Sequence, residues 1–284
     1  MPNDSLASHP LIKLAMENLR PLLEEAKDGL LGLAEQGEVR SEGDETLLEY
    51  EFYDDDVFRN AFALVDAFER MEQSQRLLET AGKVSWDGAG LDRHTWIEYH
   101  YSYYVVTLVS LADIALILTN SVFRLGNRER DCRPDLIIRN WWVAGTSAKE
   151  SLENLTKVIR PYKEGRNRHV HQGRPQAIAE VMGSKLLDQL KLFSFVDRAG
   201  KPVVASAILE KGYALEIPKI SGRLDLESAE IKGRIVTVLD ALFPVYKLKS
   251  EELHEKWRPV IEKRAKAGGS ASGKAGLTGS DLSR

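Results

Sequence analysis

Apolar residues recur at intervals of three and four along most of the chain, a spacing that predicts helices rather than strands. The run LIKLAMENLRPLLEEAKDGLLGLAEQ predicts a helix from Pro10 to about Gln36, which Pro21 kinks or divides. SEGDET reads as a loop. From Asp55 to Thr80, Val57, Phe58, Ala61, Leu64, Val65, Phe68 and Met71 share one helical face. KVSWDGAGLD is a second loop, and a long helix follows from about Asp92 to Leu125.

GNRERDCRPD breaks the pattern, and Pro134 is placed to open the next element. Ser147-Ala-Lys-Glu150 has the form of a capping box ahead of Leu152, Leu155, Val158 and Ile159. The helix begins there or continues from Pro134 through Gly145, and Pro161 closes it. Ala177 to Phe195 reads as helix. GKPVVASAILEKGYALEIPKISG mixes β-branched residues with glycine and proline, which fits short strands or irregular helix. Asp225 to Phe243 and Ser250 to Lys266 read as two further helices. Residues 267–284 are small and polar; they cannot offset their ordering entropy and are expected to form a disordered tail. The expected class is all-α.

The chain has 284 residues, 43% of them hydrophobic, enough for a sizeable core in one large domain or two small ones. Its net charge of -4 excludes a protein that coats nucleic acid without preference, so nucleic acid must meet a local basic patch. The single cysteine, Cys132, permits no disulfide within a monomer and fits a reducing cytoplasm. MPNDSLASHP lacks the basic and apolar regions of a secretory signal. Tyr103 to Phe123 is long enough to span a bilayer, but Asp113 sits near its centre beside Thr107, Ser110, Thr119 and Asn120. That composition predicts a helix buried in a soluble bundle, with no membrane partner.

Several motifs carry little chemistry. The acids of YDDDVF are expected to favour a helix start. Glu251-Glu-Leu-His254 is a single E-x-x-H, short of the set a di-iron bundle needs. Cys132 lies in a basic loop that can lower a thiol pKa. No Gly-x-Ser-x-Gly elbow or phosphate-binding Gly-x-x-x-x-Gly-Lys-Ser/Thr loop occurs. No metal site and no cofactor are expected.

The stretch EGRNRHVHQGR, Glu164 to Arg174, places three arginines and two histidines within eleven residues. Arg166 and His171 are separated by four residues, and Asn167 follows the arginine. This arrangement resembles the signature of the HEPN superfamily, in which a polar residue often follows the arginine. The resemblance covers roughly residues 55–196 and implies a helical bundle, commonly dimeric, with the motif at the start of the last core helix. Residues 1–54 become an N-terminal helical extension, 197–266 a mainly helical C-terminal segment, and 267–284 the tail. Many members of that family are metal-independent endoribonucleases. A second arginine–histidine pair, Arg93 and His100, has six residues between its members and fits the family placement less well.

Metal-free RNA cleavage needs a base for the 2′-hydroxyl and an acid for the leaving 5′-oxygen, and histidine suits both near neutral pH. Arginine offers a planar fork to the charge that develops on phosphorus. The expected catalytic set is Arg166, His171 and Asn167, with Asn167 orienting the imidazole. Arg168, Arg174, Arg160 and Lys163 are expected to hold phosphates. Positions five apart on a helix lie about 140° apart, so either Arg166 precedes the helix or two motifs meet across a twofold axis. Asp113 is a candidate partner for a motif arginine; the alternative is a surface aspartate on a helix whose Thr and Ser bond back to the backbone. The bland reading is a basic turn, with Arg166 paired to a helix acid and His171 an ordinary histidine. The functional expectation is an RNA-cleaving homodimer, in a toxin–antitoxin or defence setting with an inhibitor protein. The competing one is a non-catalytic helical adaptor or an RNA- or nucleotide-binding protein.

Overall fold

The computed structural model describes residues 5–36, 47–81, 92–173, 178, 183–193 and 203–272, and the side chains of most of them. No strand occurs among these residues, so the all-α expectation holds and the alternative of strands within residues 203–222 does not. The long helices are α1 (Pro10–Gln36), α2 (Glu49–Thr80) and α3 (Arg93–Phe123). Four short ones follow: α4 (Pro134–Ile137), α5 (Trp141–Ala144), α6 (Ser147–Ile159) and α7 (Lys163–Gln172). The last two described are α8 (Lys185–Phe193) and α9 (Ser206–Ser272).

α3 is the central rod. Asp92 caps it by accepting from the Thr95 amide at 2.9 Å, and Arg124 ends it in the left-handed conformation. It pairs most extensively with α2 and also meets α6, α7 and α9. Of its most apolar stretch, 67% lies inside the fold, which supports its reading as the core of a soluble bundle. Thr107 and Ser110 donate to the carbonyls of Tyr103 and Val106, each four residues back, and Asp113 is half-exposed. No ion pair joins Asp113 to a motif arginine among the described residues, so the backbone-bonding alternative applies.

α2 starts at Glu49, earlier than the sequence pattern suggests. Glu51 accepts from the Leu48 amide at 2.7 Å, and buried Tyr53 donates to the Val122 carbonyl at 3.0 Å. Asp54 to Asp56 therefore sit inside the helix, not at its start, and Asp54 is buried. Its Oδ1 accepts from Tyr246 at 2.7 Å, Ser250 at 3.0 Å and Asn18 at 3.3 Å, while His254 Nε2 lies 2.7 Å from Oδ2. This network ties α1, α2 and α9 together. It also absorbs the His254 of the E-x-x-H. His9 does similar work at the start of α1. Its Nδ1 accepts from the Leu11 amide, so Nε2 carries the hydrogen that meets Asp240 at 3.0 Å.

α6 begins at Ser147, but its cap is Thr146, which accepts from the Ala148 amide; the capping-box reading is one residue late. α4 and α5 remain separate short turns before it. Prolines mislead most. α1 runs through Pro21, and α9 runs through Pro218, Pro244 and Pro259 where the sequence suggests separate pieces. At 1.5 Å per residue, α9 is about 100 Å long. Its buried positions Tyr213, Ile217, Ile220, Leu224, Ile231, Ile235, Val238, Leu242 and Tyr246 form one stripe, while the three prolines are exposed. The stripe buries against α1, α2, α3, α6 and α8. That burial offsets the roughly 3 kcal/mol each interior proline costs. α9 continues to Ser272, past the expected tail boundary at residue 267, and residues 273–284 lie outside the described residues.

Candidate functional site

The motif helix grows directly out of α6. Ala148, Ser151, Leu152, Leu155 and Ile159 face inward, and a tight turn of Arg160, Pro161 and Tyr162 redirects the chain into α7. Arg166 thus lies in the second turn of a helix already under way at Lys163. The relaxed geometry of an arginine preceding the helix is not realised. Arg166 and His171 therefore stand about 140° apart.

Burial shows which way each residue faces. Tyr162, Arg166 and His169, spaced at four and three, are half-buried along the side of α7 that packs on α3. Asn167, Arg168 and His171 are exposed, as is Arg160 ahead of the helix; Lys163 is half-buried. Arg166 Nη1 donates to Asn167 Oδ1 at 3.3 Å, so Asn167 engages the arginine and not the imidazole it was expected to orient. Arg166 Nε is buried without a hydrogen-bond partner. Arg174 lies outside the described residues. Within one chain, the structure brings Arg166 beside Asn167 and His169 and leaves His171 on the far side.

The rival pair is engaged in structure. Arg93 is buried, meets Glu210 of α9 at 2.9 Å and lies over the Tyr213 ring at 5.0 Å. His100 is buried against Trp96 and Tyr99, and burial pushes its pKa down. Cys132 is buried as well. Burial first, then Glu129 and Asp131, push its thiol pKa up, opposite to the effect expected of a basic loop. No cluster of three or more His, Cys, Asp or Glu side chains fit to hold a metal occurs among the described residues.

Where α3, the turn before α7, and α9 come together is a polar group that sequence reasoning missed. Tyr101, Tyr104, Tyr162, Arg223 and Glu227 act on one another electrostatically. Burial raises the Glu227 pKa, and its Oε1, like the Tyr101 hydroxyl, has no partner. No sequence spacing announces it, because its members come from α3, the turn before α7, and α9. A cleft of about 430 Å³ lies elsewhere, between α2 and the end of α3, lined by Glu49, Tyr53, Asp56, Asn60, Asn120 and Arg124. Its polar groups are mutually paired: Asn60 with Asp56 and Ser121, Asn120 with Asn127, and Arg124 with Glu49.

No family model, curated protein or solved structure matches the chain. The class its own geometry defines is an all-α protein wrapped around a buried apolar helix, with a basic, histidine-bearing helix on its surface.

Proposed function

We propose that this chain is a HEPN-type endoribonuclease whose reaction centre forms where the α7 helices of two copies meet. The observation that carries the reading is the contrast between the two arginine–histidine pairs. Arg93 and His100 are consumed by packing, whereas α7 turns His171, Arg168 and Asn167 to solvent. About 140° apart on α7, Arg166 and His171 do not readily meet one phosphate within a single chain, and a second copy supplies the other half of the cleft. There one imidazole takes the 2′-hydroxyl proton as the oxygen attacks phosphorus. A second protonates the departing 5′-oxygen, leaving a 2′,3′-cyclic phosphate and a 5′-hydroxyl. Arg166 and Arg168 balance charge on the phosphorane. An inhibitor protein as partner follows from the same resemblance, and a cytoplasmic setting from the single cysteine.

A second reading, a non-catalytic helical adaptor or RNA- or nucleotide-binding protein, is favoured by the inward turn of Arg166. Incubating the purified chain with RNA in excess EDTA separates the two. Cleavage to cyclic-phosphate ends is expected, with His171→Ala lowering the rate by about 10²- to 10⁴-fold. Arg166→Ala is expected to cost a comparable amount, and Arg166→Lys does not restore the rate because the planar fork is gone. Inactivity of the wild type supports the adaptor, whereas full activity of His171→Ala keeps the enzyme and removes His171 from its site.

A further inference from the structure

The segment between α3 and α6 buries its smaller apolar residues and exposes its largest. Cys132, Ile137, Ile138 and Val143 point into the core. Trp141 and Trp142, on the single turn of α5, are 74% and 63% exposed, with ring centroids 5.1 Å apart and planes tilted by 54°. Asn140 fixes that turn by accepting from the Trp142 amide at 3.0 Å, and consecutive turn bonds from Arg128 to Ala144 hold the backbone. The rings stand on a built, anchored knob.

The charge around them is predominantly basic. Between Arg124 and Ala148 the chain has five arginines and no lysine. Arg128, Arg130, Arg133 and Arg139 are exposed and make no ion pair among the described residues. By contrast, Arg59, Arg70, Arg76, Arg234 and Arg258 each pair with an acid on their own helix. Of the interleaved acids, Glu129 lines the cleft beside α2, and both Glu129 and Asp131 act on the buried Cys132 thiol. Glu129 and Asp135 are themselves exposed and Asp131 is half-exposed, so the segment carries arginines in excess over three acids.

We infer that this knob is a binding platform for single-stranded RNA, with Trp141 and Trp142 stacking on unpaired bases and the four arginines holding flanking phosphates. Planar rings beside guanidinium forks match that ligand, since every base has a face to stack and every phosphate a fork to accept. An anionic membrane would attract lysine as well as arginine and would favour a broader apolar face than two indoles and Leu136. The inference deepens the proposed ribonuclease reading by naming how substrate is held. α6, about 20 Å long at 1.5 Å per residue, separates the platform from α7, a span of a few nucleotides.

The test is fluorescence anisotropy of a labelled twelve-nucleotide oligouridine with the full chain in EDTA, alongside flotation with phosphatidylglycerol–phosphatidylcholine vesicles. Each of Trp141→Ala and Trp142→Ala is expected to weaken RNA binding by about 5- to 100-fold, with Trp→Phe retaining most of it. Arg139→Gln is expected to weaken binding and reduce its salt dependence by about 0.7 in log–log slope. Wild-type affinity in the double alanine variant overturns the inference, as does loss of vesicle binding alone or a change in oligomeric state. Tryptophan-dependent binding without cleavage by the wild type leaves this inference standing and removes the enzyme. Cleavage with tryptophan-independent binding does the reverse.

Discussion

A carboxyl group buried to 1% exposure needs partners on both oxygens, and Asp54 of α2 has them from two other helices, α1 and α9. Asp54→Ala takes the acceptor from the Tyr246 and Ser250 hydroxyls and the partner from His254, while the Asn18 amide keeps Tyr246 and Ser250. It is expected to cost about 3 kcal/mol, against about 1 kcal/mol for Ser250→Ala, which leaves the other donors in place. Urea denaturation measures both; equal midpoints for the two variants would contradict the hub. Glu49 gives the fold an acid-sensitive contact. Lys256, then Arg124 and Trp257, hold its pKa at about 2 against the ordinary 4.5. Its contribution is complete above about pH 4.5 and disappears as pH falls toward 2. Glu49→Gln is expected to lower the urea midpoint at pH 7 and to flatten its decline across that window; an unchanged slope rules the contact out. Residue types were legible in the sequence, since Arg166, Asn167 and His171 stand out by composition. Their directions were not. The phase of α7 is set by where the helix starts and by Tyr162 packing inward, and neither is written in the motif itself.

Among the helices, legibility followed the strength of the apolar repeat. α3 was readable within one or two residues because Asp92 caps it and its apolar run is unbroken. α2 was legible only from Asp55 onward, because Tyr50 and Tyr53 join its buried side through contacts with His254 and Val122, both distant in sequence. α9 was read as fragments because proline and glycine count as breakers locally, whereas its stripe is buried along several neighbours. One of those glycines has a specific task. A Cβ at Gly212 would stand 2.5 Å from Leu190 Cδ2, so α8 approaches α9 over a missing side chain. Gly212→Ala is expected to be nearly neutral, because about 1 kcal/mol of helix propensity offsets a small shift of the flexible leucine tip. Gly212→Leu is expected to cost about 2 kcal/mol by overpacking. A thermal melt that ranks alanine as the worse of the two would show that the approach is not what the glycine serves.

At the scale of the whole molecule, the division of Arg166 and His171 between two sides of α7 makes the proposed chemistry depend on assembly. Sedimentation is expected to report about twice the 31.9 kDa chain mass at micromolar concentration. A monomer that cleaves RNA at undiminished specific activity would contradict the shared centre. The Asp54 network bears on assembly within the chain. Tyr246, Ser250 and His254 are spaced four apart, so three successive turns of α9 converge on one carboxylate. An apolar stripe repeating every three to four residues tolerates sliding by one turn, about 5.4 Å, since leucine can replace isoleucine against the same groove. A single aspartate cannot be matched twice. It works as an index pin on a rod some 100 Å long, and residues 54, 246, 250 and 254 should drift together, or not at all, as the sequence evolves.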